Sequence, residues 1–289
     1  MEIIQSVLNG LLLGGLYAVI GIGMSLIFGV MGLTNLAHGD LIIVGAFVCM
    51  TLLAQLVGSV WAAIVMTVVI MAAIGFFIQG FLINRVLDKG AEPALLTTFG
   101  VSICLSNTLL LFFGADARSI SSSFATANVF STNLFSVSAV YLLNFVIAIC
   151  VIIVLHCILQ YTYFGRSVRA ASDNIHAAEL MGVDTKKVFS YAMALAMASA
   201  AIAGLLVGMT FIFYPSTGTQ YLIIAFGVVV IGGMGSLLGT LLGGVILGLA
   251  QLLGAYFFGS GYQLLAGYLV LLLILTVKPE GLLSTASRK

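Results

Sequence analysis

Three polar side chains, Asn35, His38 and Asp40, lie within six residues of one another at the edge of an apolar run. Asp40 is the only charged residue in positions 3–84. Asn, His and Asp so close together could form a proton relay or a metal site. A structural interpretation is favoured: Asp40 caps the free N–H groups at a helix start, Gly39 makes the turn, and the group borders a transport pathway.

Glycines mark a second candidate site, at Gly232, Gly233 and Gly235. They follow a short apolar piece, Leu222–Ile231, which at about 1.5 Å per residue crosses only about half of a ~30 Å membrane core. A short helix that ends in glycines is typical of broken backbone beside a cavity or inside a packed bundle, so we predict a hinge or pathway wall. Residues 28–33 have a similar sequence, which indicates either a parallel internal repeat or chance similarity between glycine-rich stretches.

The most charged stretch, residues 166–187, holds seven charged side chains, whereas residues 188–277 hold none. Such a stretch is too costly to insert into hydrocarbon and must be an aqueous loop. Its charges are of both signs, which suits a protein partner and does not suit nucleic acid. They are Arg166, Arg169, Asp173, Glu179, Asp184, Lys186 and Lys187.

This loop is predicted to contain a two-turn helix over Asn174–Met181. Ser172 or Asp173 can cap its start, and Gly182 is positioned to end it in the left-handed conformation. The helix would therefore lie outside the membrane.

One side of this helix suits contact with another protein. The small side chains of Ala177 and Ala178 would allow close approach to a groove, with Arg169 and Glu179 at its rim. The alternative is an ordinary amphipathic helix at the membrane interface.

The chain as a whole is 62% hydrophobic and 7% charged. This composition predicts an all-α, polytopic membrane bundle of about eight spans, with one short or broken helix around 222–236. We expect a single domain over 1–289. The predicted apolar segments are Ile4–Phe28, Leu41–Val57, Trp61–Asn84, Ala94–Phe113, Val140–Leu159, Val188–Phe213, Leu222–Ile231, Leu237–Phe258 and Tyr262–Val277.

Lys and Arg follow the third and fifth segments and end the chain, which predicts that these places are cytoplasmic. The loop at 162–187 and the C-terminus would then be cytoplasmic, and the N-terminus and the loop at 114–139 external. The first apolar stretch is expected to be a span and not a cleaved leader. The four cysteines lie in apolar runs without metal-site spacing, and no catalytic motif is present.

Four stretches, in order along the chain, resemble the permease subunits of bacterial ABC importers, and the branched-chain amino acid permeases in particular. The segment from Gly165 to Gly182 is similar to the cytoplasmic coupling motif of these subunits. The others are Asn35-Leu-Ala-His-Gly39, Gly232-Gly-Met-Gly-Ser236 with the glycines after it, and Lys278-Pro-Glu-Gly-Leu282.

The resemblance implies a complex in the bacterial inner membrane with a second permease, two ATPase subunits and a periplasmic solute-binding protein. ATP and Mg²⁺ would be used by the ATPases, so this chain would bind no cofactor and would not be an enzyme. The substrate would be leucine, isoleucine and valine, or else urea or short-chain amides. The rival class is a transporter or channel that works alone. The resemblance assigns ATPase coupling to Arg166, Arg169, Asp173, Ala177, Ala178, Glu179 and Gly182.

Overall fold

The computed structural model describes residues 2–56, 59–120, 128–131 and 136–283. Within these ranges nine helical segments are long and apolar enough to cross a membrane, which confirms a polytopic helical bundle. The helices are α1 Glu2–Met31, α2 His38–Gln55, α3 Val60–Phe81, α4 Ala91–Phe113, α5 Ala139–Tyr161, α6 Tyr163–Asp173, α7 Ile175–Leu180, α8 Thr185–Thr210, α9 Gly218–Gly232, α10 Leu237–Phe258 and α11 Gln263–Val277.

Several bounds differ from the sequence prediction. The short helix begins at Gly218 and has 15 residues, with a 3-10 turn at Pro215–Thr217 before it. The loop predicted over 114–139 contains a short antiparallel hairpin, β1 Asn128–Ser131 and β2 Ser136–Ser138, while 121–127 and 132–135 lie outside the described residues. The predicted end of the second span, Val57, and the terminal Arg288 and Lys289 also lie outside them.

The first helix, α1, runs through the centre of the bundle and is buried along most of its length. It packs against α5, α8, α9 and α10. Its closest approach is to α10, where a Cβ added at Gly244 or Gly248 would lie 2.7 Å from the backbone nitrogen of Ala18 or Gly14, respectively. Glycines four residues apart therefore allow the two backbones to touch, as in other membrane helix pairs.

Helices α4 and α11 lie at the periphery and expose most of their surface. The exposed residues of α11 between positions 264 and 273 are all leucine. Lipid tails are as apolar as leucine, so this outer face of α11 is suited to contact with lipid.

Successive spans alternate in direction, so the loop after α3, the segment between α5 and α8, and the end of α11 lie at one end of the bundle. We call this the basic end. It carries Arg85, Lys89, Arg166, Arg169, Lys186, Lys187 and Lys278.

Helix α2 begins inside the bundle and not at its surface. His38, its first residue, has Nε2 3.0 Å from the carbonyl oxygen of Ile20. Ile20 precedes the end of α1 at Met31 by eleven residues, which is about 17 Å at 1.5 Å per residue. The segment 32–37 therefore runs back into the bundle beside α1.

Helix α9 also begins in the interior, because its first residue, Gly218, packs against Asp40 of α2. Two helices thus start near the middle of the bundle and cross there. Non-helical backbone at such a depth is tolerated where protein or a water-filled cavity surrounds it.

Candidate functional site

The charged loop folds into two helices, α6 and α7, at the basic end. The hydroxyl of Thr162 accepts a hydrogen bond from Gly165 N (3.2 Å) and caps α6. The side chain of Asn174 accepts one from Ala177 N (3.0 Å) and caps α7. The predicted short helix is confirmed, but the predicted cap at Ser172 or Asp173 is wrong, because Asp173 is still the last residue of α6.

The predicted end of this helix is confirmed at Gly182, which has φ +84°. Gly182 N donates to Glu179 O (2.9 Å), and Val183 N donates to Ala178 O (3.0 Å). This pair of hydrogen bonds is the Schellman arrangement, which satisfies carbonyls at the end of a helix. A bulkier residue at Gly182 would meet no neighbour but would adopt a strained backbone.

The predicted contact residues of α7 do not share one surface. Ala177 is exposed, whereas Ala178 is buried inside the chain. Glu179 accepts a hydrogen bond from the Thr185 hydroxyl (2.6 Å) and thereby connects α7 to the start of α8. Ala178 and Glu179 therefore hold α7 on its own bundle.

The remaining predicted coupling residues lie on the exposed side of α6. Arg166 lies over the ring of Tyr163, 5.6 Å from its centroid. The guanidinium of Arg169 donates to the carbonyl oxygen of Leu159, at the end of α5. Asp173 is exposed at the end of α6.

Sequence reasoning missed the most exposed apolar side chains of this segment. Leu180 is 88% exposed and Met181 is 85% exposed, and Ile175 at the other end of α7 is 43% exposed. Adjacent apolar side chains this exposed, outside the membrane-spanning helices, make the end of α7 a candidate interaction surface. The signal was available, because two apolar residues stand directly before the helix-ending glycine in the most charged stretch of the chain.

The start of α8 is held by Asp184, whose side chain accepts a hydrogen bond from Lys187 N (3.1 Å). The Lys187 ammonium lies 2.9 Å from the same carboxylate. This hydrogen bond from the Lys187 side chain is the main cause that lowers the pKa of the Asp184 carboxyl below its ordinary value of 3.8. The carboxylate therefore stabilises the helix start fully above pH 3.8, and its contribution is lost as the pH falls through the lower folded pKa.

Replacing Asp184 by alanine is expected to cost about 1 kcal/mol of local stability, because a helix cap is lost. Amide hydrogen exchange in the peptide over 184–190 should then be about fivefold faster. Asp184→Asn retains the cap and loses only an exposed ion pair, so its exchange should stay close to that of the parent. Equal acceleration in both variants would show that charge, and not capping, holds this end.

A buried polar cluster joins the first turns of α8 to the end of α3. The Asn84 amide donates to Lys186 O (3.0 Å) and to the Ser190 hydroxyl (3.2 Å). Gln79 donates to the Asn84 oxygen (2.9 Å). The α6–α7 segment is thus connected through the start of α8 to a second long helix.

The polar group found in the sequence around α2 lies deep in the bundle. Asn35, His38 and Asp40 are 3%, 0% and 4% exposed, respectively. The Asn35 side chain accepts from Ala37 N (3.0 Å), and Asp40 accepts from the Ser102 hydroxyl of α4 (2.5 Å). Among the described residues no group of three His, Cys, Asp or Glu could hold a metal ion.

Two details of this region correct the sequence interpretation. The N-cap of α2 is Ala37, without a side-chain cap, and Asp40 lies in the first turn. Gly39 makes no turn, because it is helical; instead it allows α2 to touch α9. A Cβ at Gly39 would overlap the carbonyl oxygen of Gly218 and lie 2.6 Å from Leu222 N.

The glycines after α9 form a tight connection at the basic end. The helix ends at Gly232, and Gly233 and Gly235 have φ of +103° and +82°. Leu282 N donates to Ile231 O (2.9 Å), and Leu283 N donates to Gly232 O (2.9 Å). The closing stretch of the chain thus satisfies the carbonyls at the end of α9, a role that the sequence did not reveal.

Comparisons with known proteins agree over nearly the whole chain. Residues 6–277 match the family model described as "Branched-chain amino acid transport system / permease component". The chain is 30% identical over 295 residues to the high-affinity branched-chain amino acid transport system permease protein LivH of Escherichia coli (strain K12), covering 97% of this chain and 95% of that protein. LivH of Salmonella typhimurium is 29% identical over 295 residues with the same coverage. BraD of Pseudomonas aeruginosa is 30% identical over 292 residues, again covering 97% and 95%.

Proposed function

This chain belongs to the family of permease components of branched-chain amino acid transport systems, and we propose that it is one of two transmembrane subunits of an ATP-binding-cassette importer. The second permease would complete the pathway, and two ATPase subunits would bind at the basic end. ATP and Mg²⁺ would be bound by those ATPases and not by this chain. A solute-binding protein would deliver leucine, isoleucine or valine at the opposite end.

The distribution of Lys and Arg supports an inner-membrane orientation with the basic end in the cytoplasm. The nine candidate spans among the described residues would then leave the N-terminus external and the C-terminus cytoplasmic. The ATPases, which need cytoplasmic ATP, would meet the α6–α7 segment there.

Connections within the chain support a route for the mechanical step. Closure of the ATPase pair on nucleotide would push on α7, and α7 is joined to α8 through the hydrogen bond between Glu179 and Thr185. Helix α8 in turn packs against α1, α2 and α3. A push on α7 would therefore rock the centre of the bundle and exchange inward for outward access. Three of the glycines with positive φ, Gly32, Gly233 and Gly235, are the candidate hinges.

The buried group at α2 would serve this motion indirectly. His38 would fix the start of α2 on α1, and Asp40 would fix it on α9, so that these helices move together. Their polar atoms would then act on neighbouring helices and not on the substrate.

The exposure of Leu180 and Met181 carries the proposal of ATPase docking. Burying both side chains would contribute about 1.5–3 kcal/mol each. Leu180→Asp combined with Met181→Asp should therefore reduce the ATPases that co-purify with a tagged permease at least tenfold. Recovery of the second permease should be unchanged, and uptake should fall with the ATPases.

The control is Lys89→Asp, which changes an exposed residue in another loop of the basic end and should retain the ATPases. Equal recovery from the double variant and the parent would contradict docking through α7. Leu180 and Met181 are cleaner test positions than Ala178, because a charge at buried Ala178 would disturb the chain itself.

The substrate is tested by uptake of labelled leucine in cells that carry the whole complex and lack other leucine transporters. Unlabelled isoleucine and valine should compete, and urea and acetamide should not. Competition by urea or acetamide, without competition by isoleucine and valine, would contradict the proposed substrate.

A further inference from the structure

A strip of uncharged polar side chains lies where α4 meets the 3-10 turn Pro215–Thr217 that leads into α9. Ser216 of this turn and Thr219 and Gln220 of the first turn of α9 are exposed, and Ser102 and Ser106 of α4 are half-buried. Helix α4 contacts this turn through the Ser106 hydroxyl, which donates to Pro215 O (3.4 Å), and contacts α2 through Ser102, which donates to Asp40. We call these five residues the polar strip.

The strip lies at membrane depth. Asp40 is in the first turn of α2, which begins beside Ile20 near the middle of the bundle, and Gly218 packs against it. Thr219 and Gln220 directly follow Gly218. Their side chains therefore lie in the region that hydrocarbon would surround if this face met lipid.

Other exposed polar side chains in the span of α4 behave differently. Asn107 donates to Ile103 O (2.8 Å), and Thr108 donates to Cys104 O (2.6 Å), so each satisfies itself on its own helix. Among the described residues, Thr219 and Gln220 have no such partner. An unsatisfied amide in hydrocarbon costs several kcal/mol, so this face must meet water or protein.

The neighbours of the strip add apolar side chains to the same face. Along the same face of α9, Ile223 and Phe226 follow Thr219 and Gln220 and are each 42% exposed. The face thus has a polar half and an apolar half side by side. Such a wall suits a zwitterionic solute with an aliphatic side chain, because hydroxyl and amide groups meet its charged ends without binding them tightly.

We propose that the polar strip is this subunit's wall of the transport pathway and faces the second permease across water. This inference rests on the proposed function, since it takes the pathway to lie between two permeases. It assigns the wall to exposed side chains at the start of α9 and in the turn before it, with two half-buried serines of α4, while the buried residues around α2 support the crossing behind it.

The test measures how fast single cysteines react with a water-soluble, membrane-impermeant methanethiosulfonate in the assembled complex. The parent carries alanine at the exposed cysteines 104, 150 and 157. Thr219→Cys and Gln220→Cys should react at least tenfold faster than Leu269→Cys and Leu272→Cys on α11, because a thiol ionises only where water reaches it. Rates equal to those of the α11 controls would overturn the proposal.

Leucine uptake by the parent complex separates this inference from the proposed function. Slow modification of Thr219→Cys in a complex that takes up leucine contradicts the polar strip alone. Fast modification in a complex without leucine uptake supports a water-lined face and contradicts the proposed substrate.

A second variant, Gln220→Leu, keeps the size of the side chain and removes its amide. Leucine uptake should fall at least tenfold with the ATPases still bound, whereas Leu269→Ala should leave uptake unchanged. Undiminished uptake by Gln220→Leu would count against the strip as a wall of the pathway.

Discussion

Replacing Gly39 by alanine is expected to remove most of the folded protein from the membrane. The added methyl group would overlap the carbonyl oxygen of Gly218 and lie 2.6 Å from the Leu222 nitrogen. Both are backbone atoms, so no side chain can rotate away, and α2 and α9 would have to separate. Overpacking in a core costs about 1–3 kcal/mol and more where backbone must move, so we expect a loss of at least about 3 kcal/mol.

Gly100→Ala is the matched control for this substitution. Gly100 is also a helical glycine, in α4, but a Cβ there would have no atom within 4 Å. The measurement is the fraction of tagged permease that elutes as a single species in detergent after heating. Gly39→Ala should lose this species and Gly100→Ala should retain it. Similar elution of the two variants would mean that α2 and α9 do not touch as closely as described.

The sequence predicts the membrane spans well because hydropathy reports the cost of inserting each residue. About eight spans and one short or broken helix were predicted from nine apolar segments, and nine candidate spans, with the short helix among them, are present among the described residues. The errors occur where polar residues lie inside the bundle. The second segment was predicted to begin at Leu41, because His38 and Asp40 were taken as a surface boundary, whereas the helix includes both residues.

The depth of the α2 start could not be predicted from the sequence alone. It depends on His38 meeting the carbonyl of Ile20, a contact between residues on different helices. Hydropathy assigns polar residues to the membrane surface, and only the tertiary contact shows that 32–37 turn back inward. The same limit explains why Gly39 was interpreted as a turn residue and not as a point of helix contact.

The position of α7, the candidate docking helix, was predicted from local sequence signals. Which of its side chains are exposed was not predicted. Gly182 ends α7 because its backbone is left-handed. Glycine adopts this conformation easily, so the residue type alone was enough to predict the helix end. Which side of this short helix faces its own bundle depends on its packing against α6 and α8. Ala178 therefore proved buried, and Leu180 and Met181 proved to be the exposed apolar pair.

Replacing Asp40 by alanine is the second change with a large expected effect. Its carboxylate accepts the Ser102 hydroxyl (2.5 Å) and lies in the first turn of α2 beside Gly218, the first residue of α9. A negative charge at the start of a helix is favourable, and a hydrogen bond to a charged group contributes about 1.5–3 kcal/mol. The loss should be about 2–4 kcal/mol from these two causes together, measured as a lower unfolding temperature of the purified complex.

The comparison of Asp40→Ala, Ser102→Ala and the double variant isolates the hydrogen bond. If the two side chains act together, the double variant should be no less stable than Asp40→Ala alone. Additive losses would show that Asp40 stabilises the helix starts without Ser102.

Asp40→Asn separates a structural role from proton coupling. The amide oxygen still accepts from Ser102, so we expect a stable complex that takes up leucine at close to the parent rate. A stable Asp40→Asn complex without uptake would contradict the structural role. A proton carried by Asp40 would then be the better explanation, and His38, whose Nδ1 is buried without a partner among the described residues, would be the next group to test.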